Sequence, residues 1–209
     1  MPALENVFWL GGSPCAGKSS ISNILAERFE LDLYRVDEAF DLHVRRFDAE
    51  THRALTKWCA AAWNERWMQT PESLLNEVIA CYREHFSLIL EDVVSLPKQK
   101  PLLVEGSALL PREVFGVAPS RHQVIWVVPT ADFQLKHYAK RDWISGIVEQ
   151  CDDPPTAFRN WMRRDIQFAR WITAEVETLG GELLVVDGQR TIEENALKIA
   201  AHFGFEDGS

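Results

Sequence analysis

The chain has 209 residues, 46% of them hydrophobic, which suits one domain of middling size with a substantial core. A net charge of −9 and a pI near 5.2 argue against a nucleic-acid partner, so any phosphate would be held by a local cluster of cations. The opening Met1-Pro-Ala-Leu-Glu-Asn lacks the basic and apolar runs of a signal peptide, and no apolar run reaches membrane-span length; a cytoplasmic protein without membrane contact is expected.

Val7-Phe8-Trp9-Leu10 reads as a buried strand, and Ile21, Ile24, Leu25 and Phe29 fall at helical spacing. Between them Gly12, Ser13, Pro14, Cys15, Ala16, Gly17, Lys18 and Ser19 fit G-x-x-x-x-G-K-[ST], the phosphate-binding loop, in the strand-loop-helix context it requires. Glycines let backbone N–H groups turn around a phosphate chain, with Ser20 next in the helix start. Lys18 would reach the β- and γ-phosphates of ATP, and the Ser19 hydroxyl would ligate Mg²⁺. Cys15 has two readings: a thiol made acidic at an anion-binding helix start, or a small residue that fits the loop. Cys59, Cys81 and Cys151 are too scattered for a zinc site or a disulfide framework.

Leu31 to Val36 reads as the second strand, ending on Asp37. Ligands in open α/β sheets lie beyond the carboxyl ends of the strands, so Asp37 is the candidate base for an attacking hydroxyl; alternatively it caps the next helix. Asp41, one turn on, is a second candidate for the acceptor. Residues 38–98 read as a helical insertion walling the acceptor pocket, with Leu55, Trp58, Cys59 and Ala62 on one stripe and Leu75 to Val93 on another after Pro71. Arg45 and Arg46 follow Asp37 closely enough to stay near that pocket. Trp63 and Trp67, at i, i+4 spacing, form either an aromatic wall or core.

After the polar break Lys98 to Pro101, Leu102 to Glu105 reads as the third strand, ending on an acid suited to the Mg²⁺ shell, with Gly106 behind it. Arg112 follows at the pocket mouth, able to point at the acceptor. Gln123 to Val128 is the fourth strand, and Thr130 caps a helix running to residue 148 that carries Lys136, Lys140 and Arg141. Past Pro154-Pro155 a helix buries Phe158, Met162, Ile166, Ala169, Ile172 and Val176 and sets Arg159, Arg163 and Arg170 along another stripe, with Arg164 beside them. Residues 136–170 are expected to form a lid whose arginines, Arg141, Arg159 or Arg163, close over the γ-phosphate; the alternative is surface pairing with Asp165 and Glu175. Glu182 to Val186 is the fifth strand, after which Gly188 and Arg190 would pack on the adenine, unless Asp187-Gly188 is an ordinary turn; Thr191 and Glu194 make a capping box.

Five strands alternating with helices predict a three-layer α/β/α fold with a five-stranded parallel sheet, a helical insertion after the second strand and a helical lid, all in one domain. On the loop Gly12 to Ser19, Asp37, the Glu105-Gly106 pair followed by Leu109-Leu110, and the run at Asp187-Gly188, the chain resembles P-loop small-molecule kinases of the nucleoside and nucleotide kinase-like group, with shikimate kinase, gluconate kinase and chloramphenicol phosphotransferase. The D-G-[FY]-P-R and G-K-G-T signatures of adenylate kinases are missing, which points away from a nucleoside monophosphate acceptor, and N-K-x-D is missing, which favours ATP over GTP.

The resemblance implies transfer of the γ-phosphate of ATP to a hydroxyl of a small molecule. Lys18 would hold phosphates, Ser19 and Glu105 the Mg²⁺ shell, and Asp37 the hydroxyl proton. A nucleotide-switched ATPase and a nucleotide-binding scaffold are the rival classes. The acceptor is not identified by sequence, and the Trp and Leu content covers either a core or a homodimer face.

Overall fold

A computed structural model describes residues 4–97, 99–138 and 141–206; Lys98 and Lys140 lie outside the described residues, as does the side chain of Asp142. Five strands, β1 (Val7–Gly12), β2 (Asp32–Arg35), β3 (Leu102–Glu105), β4 (Val124–Pro129) and β5 (Leu183–Val186), form one parallel sheet in the order β2-β3-β1-β4-β5. β3 and β4 are buried at every position, as expected of strands with helices on both faces.

Ten helices are seen among the described residues. On one face α1 (Lys18–Arg28) and α10 (Ile192–Phe203) cover Leu10, Leu103, Ile125 and Val127. On the other α5 (Pro71–Ser95), α6 (Pro111–Phe115) and α9 (Pro154–Leu179) cover Trp9, Val104, Trp126 and Val128. The alternation of side chains along each strand thereby feeds two separate cores. Among the described residues no helix is long and apolar enough to cross a membrane.

The segment between β2 and β3 holds α2 (Val36–Val44), α3 (Arg53–Ala60) and α4 (Trp63–Trp67) ahead of α5, which begins at Pro71 behind a Thr70 cap. Three boundaries differ from expectation. The second strand stops at Arg35, and Asp37 belongs to the first turn of α2, whose cap position is Arg35 rather than Asp37. The stripe from Leu55 to Ala62 is broken, because the chain is extended at Ala61 and Ala62 after α3. Between β4 and β5, the single helix expected up to residue 148 is two, α7 (Ala131–Tyr138) and α8 (Asp142–Val148).

The sheet register fixes where the loops at its carboxyl edge begin. Leu10 of β1 pairs with Glu105 of β3, and Glu105 with Arg35 of β2, so β2 and β3 end in one row level with Leu10. Two residues further, Gly12 pairs with Val127 of β4 at φ +130°, where a Cβ would lie 1.9 Å from the Val127 carbonyl oxygen. Gly106 is held equally close, since a Cβ there would meet Val36 Cβ at 2.5 Å. The chains leaving β2 and β3 therefore touch, bringing Asp37 beside Glu105. β1 connects toward β2 and β4 toward β5, in opposite directions, so the sheet has a crevice between them at its carboxyl edge.

Candidate functional site

The loop from Gly12 to Ser19 spans this crevice and runs into α1 with Gly17 as N-cap. α1 has neither a side-chain cap nor an acidic residue in its first turn. Its leading N–H groups are open to an anion, and the helix dipole adds partial positive charge there. Lys18 is 7% exposed, and its ammonium donates to the Ser13 carbonyl oxygen at 2.9 Å and to Ser107 Oγ at 3.2 Å. Burial pulls its pKa down, against the attraction of Glu105 and Asp37. Among the described residues this buried ammonium forms no ion pair; its partners are a carbonyl and a hydroxyl oxygen.

Glu105 is 4% exposed, and burial pushes its carboxyl above the usual range while Lys18 and a hydrogen bond from the Ser19 hydroxyl pull the other way. Asp37 reaches the same cavity from the open side. Ser19 and Glu105 offer oxygen only, the donor type that suits Mg²⁺. Among the described residues no group of three His, Cys, Asp or Glu side chains could cage a metal. A divalent cation here would take one hydroxyl and one carboxylate from the protein and its other ligands from phosphate and water, so the residues present fit Mg²⁺ in that mode.

Two cavities meet at the loop. The smaller, about 330 Å³, reaches from Lys18, Ser19 and Asp37 to an aromatic wall of Tyr82, Tyr138, Trp143 and Trp161. The larger, about 760 Å³, runs along Gly17 and Ser20 past Phe133 to Gly188 and Arg190. Cys15, Gly17, Ser20 and Arg141 line both. Arg190 is held by Asn195 Oδ1 and the Val185 carbonyl oxygen, each at 2.9 Å. Pro14 and Ala16 line the smaller cavity; Gly12 and Ser13 lie beneath it, Ser13 being fully buried with its hydroxyl 3.4 Å from the Asp165 carbonyl oxygen.

The arginines divide differently from expectation. Arg141 is at the junction of the cavities, over the ring of Tyr138 at 5.1 Å. Arg159 and Arg163 face solvent on α9, Arg159 donating to Thr156 Oγ1 at 2.6 Å, and neither lines a cavity. Arg164 does: it is 6% exposed and ion-paired through Nε with Asp165 Oδ1 at 2.6 Å. Asp165 is wholly buried, also accepting from the Tyr138 hydroxyl, and burial pushes its pKa up. Arg112 is bound at the surface to Glu175 at 2.6 Å, and Asp41 and Arg45 are exposed and line neither cavity.

Burial also decides two open readings. The Cys15 thiol is raised rather than acidified, because loss of water outweighs the pull of Arg141 and Lys18. Trp67 is core: it stacks on Trp161 at 3.9 Å with 9° between planes, while Arg66 lies over Trp58 and Trp63 at 4.2 and 4.9 Å. The residues missed by sequence reasoning are Ser107, Tyr82, Tyr138, Trp161, Trp143 and Arg164. For the α9 pair a signal existed. Ala157, Trp161, Arg164 and Phe168 recur at spacings of three and four, so they share the buried face.

No family model and no curated protein matches the sequence. Among solved structures, YorR protein in complex with phosphorylated GDP, from Bacillus subtilis, aligns at TM-score 0.44 and 12% identity over 93% of this chain and 94% of that one. A "putative kinase" from Chloroflexus aurantiacus aligns at TM-score 0.40 and 14% identity over 94% and 98%. Likenesses at this distance do not bear on the chemistry of the site.

Proposed function

We propose that the protein is an ATP-dependent phosphotransferase that moves the γ-phosphate of ATP to a hydroxyl of a small molecule. The observation that carries this reading is the convergence, on one cavity at the carboxyl edge of the sheet, of an uncapped helix start, buried Lys18, Glu105, Asp37 and Arg141. The adjoining larger cavity is of a size for the nucleoside, with Gly188 and Arg190 beside the base.

In this reading Lys18 and the loop amides orient the phosphate chain. Asp37 accepts the proton of the acceptor hydroxyl as its oxygen bonds to the γ-phosphorus, and the bond from that phosphorus to the β–γ bridging oxygen breaks to release ADP. Arg141, at the junction of the cavities, stabilises charge on the transferring group, and the segment 136–170 acts as the lid that excludes water. Mg²⁺, held by Ser19 and through water by Glu105, would supply neutralisation of the phosphate charge.

The test is ATP consumption by the full chain with Mg²⁺ across pooled hydroxylated metabolites, nucleosides and antibiotics. One pool is expected to stimulate turnover, with Asp37→Ala lowering it roughly 10²- to 10⁴-fold while ATP still binds. If no pool stimulates turnover yet basal hydrolysis depends on Lys18, the acceptor reading fails and a nucleotide-switched ATPase replaces it.

A further inference from the structure

The smaller cavity asks for more than a hydroxyl. Its far wall carries Tyr82, Tyr138, Trp143 and Trp161, and among them a buried guanidinium, Arg164. Only the Nε side of that guanidinium is engaged, by Asp165; among the described residues Arg164 donates no hydrogen bond, and its remaining contact is the face of Trp67 at 5.2 Å. Asp165 in turn accepts a hydrogen bond from the Tyr138 hydroxyl through its other oxygen. An arginine anchored through Nε presents its two terminal nitrogens as a fork, the geometry that receives a planar acid group with two parallel hydrogen bonds.

The phosphate chemistry proposed above is carried by Lys18, the loop amides and Arg141 and leaves this fork unassigned. Of these cations only Arg141 lies where the two cavities meet; Lys18 and Arg164 both line the smaller one, Arg164 among its aromatic residues. Trp143 of α8 is 53% exposed and lines that cavity, its ring 5.7 Å from that of Trp161. At about 330 Å³, less than half the neighbouring cavity of about 760 Å³, the space also takes in the phosphate-loop residues Lys18 and Ser19, so what it leaves for an acceptor suits a compact ring rather than a second nucleotide.

From this we infer that the acceptor is a small hydroxyl-bearing aromatic carboxylic acid, its carboxylate on Arg164, its ring against Trp143 and its hydroxyl toward Asp37. The inference rests on the phosphotransferase reading for the role of the hydroxyl. The Arg164–Asp165 pair is neutral as a unit, so it suits a monoanion better than a dianionic phosphate ester.

The test is calorimetric titration of the full chain, held with Mg²⁺ and a non-hydrolysable ATP analogue, against mandelate and 3-(4-hydroxyphenyl)lactate, their amides, lactate and phenyl phosphate. The aromatic carboxylates should bind, with the amides weaker by roughly 10- to 100-fold, as expected for loss of a charged hydrogen-bonded contact. Arg164→Gln should erase the preference for acid over amide, and Arg164→Lys, which keeps the charge but not the fork, should restore part of it. Trp143→Ala, at an exposed position where folding is not at stake, should bring the aromatic acids down to the level of lactate. Equal binding of acids and amides, tighter binding of phenyl phosphate, or no binding by any aromatic acid overturns the inference. Absence of binding by the ATP analogue itself, read in a separate titration, overturns the phosphotransferase reading instead.

Discussion

At the scale of single residues, position rather than exposure separates the arginines of residues 136–170: Arg141, exposed like Arg159 and Arg163, and buried Arg164 line the smaller cavity, and the other two do not. Arg141 and Arg164 point into the cavity, while Arg163, one residue from Arg164, faces solvent because neighbours on a helix are about 100° apart. Arg141→Met is therefore expected to lower kcat by roughly 10³-fold or more with the protein still folded, as removal of a charge-stabilising arginine does elsewhere. Arg163→Met should cost far less. Steady-state kinetics on both variants, with circular dichroism as the control for folding, checks this; comparable losses would mean that the lid closes with a different face of α9. Lys18 follows the same logic. Lys18→Ala removes the ammonium held at the Ser13 carbonyl and should abolish ATP turnover, measurable as loss of ADP release.

At the scale of elements, α2 is clamped to β2 and α5 by a buried polar chain. His43 Nε2 lies 2.8 Å from Asp92 Oδ2, the Tyr34 hydroxyl donates to the same oxygen at 2.9 Å, and His43 Nδ1 is 2.7 Å from His85 Nε2. Burial works against ionisation of Asp92, yet hydrogen bonds from Arg46, His43 and Tyr34 hold its carboxyl below the usual range. An ionised Asp92 fixes the proton on His43 Nε2, leaving Nδ1 to accept from His85 Nε2. His85 is 2% exposed, Phe40 stands edge-on to it at 5.2 Å, and among the described residues its Nδ1 has no hydrogen-bond partner. Burial first, and His43 second, push its pKa down to about 3, against the pull of Asp92.

The unfolded chain takes up this proton near pH 6.5 and the folded chain only near 3, so the folded state binds fewer protons within that window. Stability from this group is thus complete above the unfolded value and is lost as pH falls through the window, at no more than about 1.4 kcal/mol per pH unit. Urea unfolding at pH 7, 6, 5 and 4 should show this slope, and His85→Phe should flatten it. An unchanged slope in the variant would place the acid sensitivity elsewhere. Because α2 carries Asp37, the same clamp holds the candidate base in place.

At the scale of the whole molecule, the sheet divides two cores, and one side chain ties the sheet to the loop behind the site. Trp126 of β4 is fully buried, and its indole N–H donates to the Leu109 carbonyl oxygen at 2.8 Å. It also lies against Gly11, where a Cβ would be 2.4 Å from Nε1. Trp126→Phe leaves the Leu109 carbonyl buried without a donor and should destabilise the protein by about 1–3 kcal/mol. The readout is a lower urea midpoint with an unchanged m-value; a midpoint equal to that of the parent would show that the carbonyl finds another partner.

The sequence by itself determined the elements and the local chemistry at their ends. Alternating and helical periodicities, the Pro71 start and the Thr191–Glu194 capping box depend on residues within a few positions of one another, and the five strands and the capping box stand where they were expected. The loop Gly12 to Ser19 was legible for the same reason, being one continuous stretch between a strand and a helix. Only the tertiary structure assembled the smaller cavity. Tyr82, Tyr138, Trp143, Trp161 and Arg164 come from four helices, and nothing in their local spacing states that α5, α7, α8 and α9 converge on one space. It also decided the charges. Whether Arg112 meets an acceptor or Glu175, and whether Cys15 is acidified or raised, depends on distant neighbours and on how far water is excluded, which a chain acquires only once it has folded.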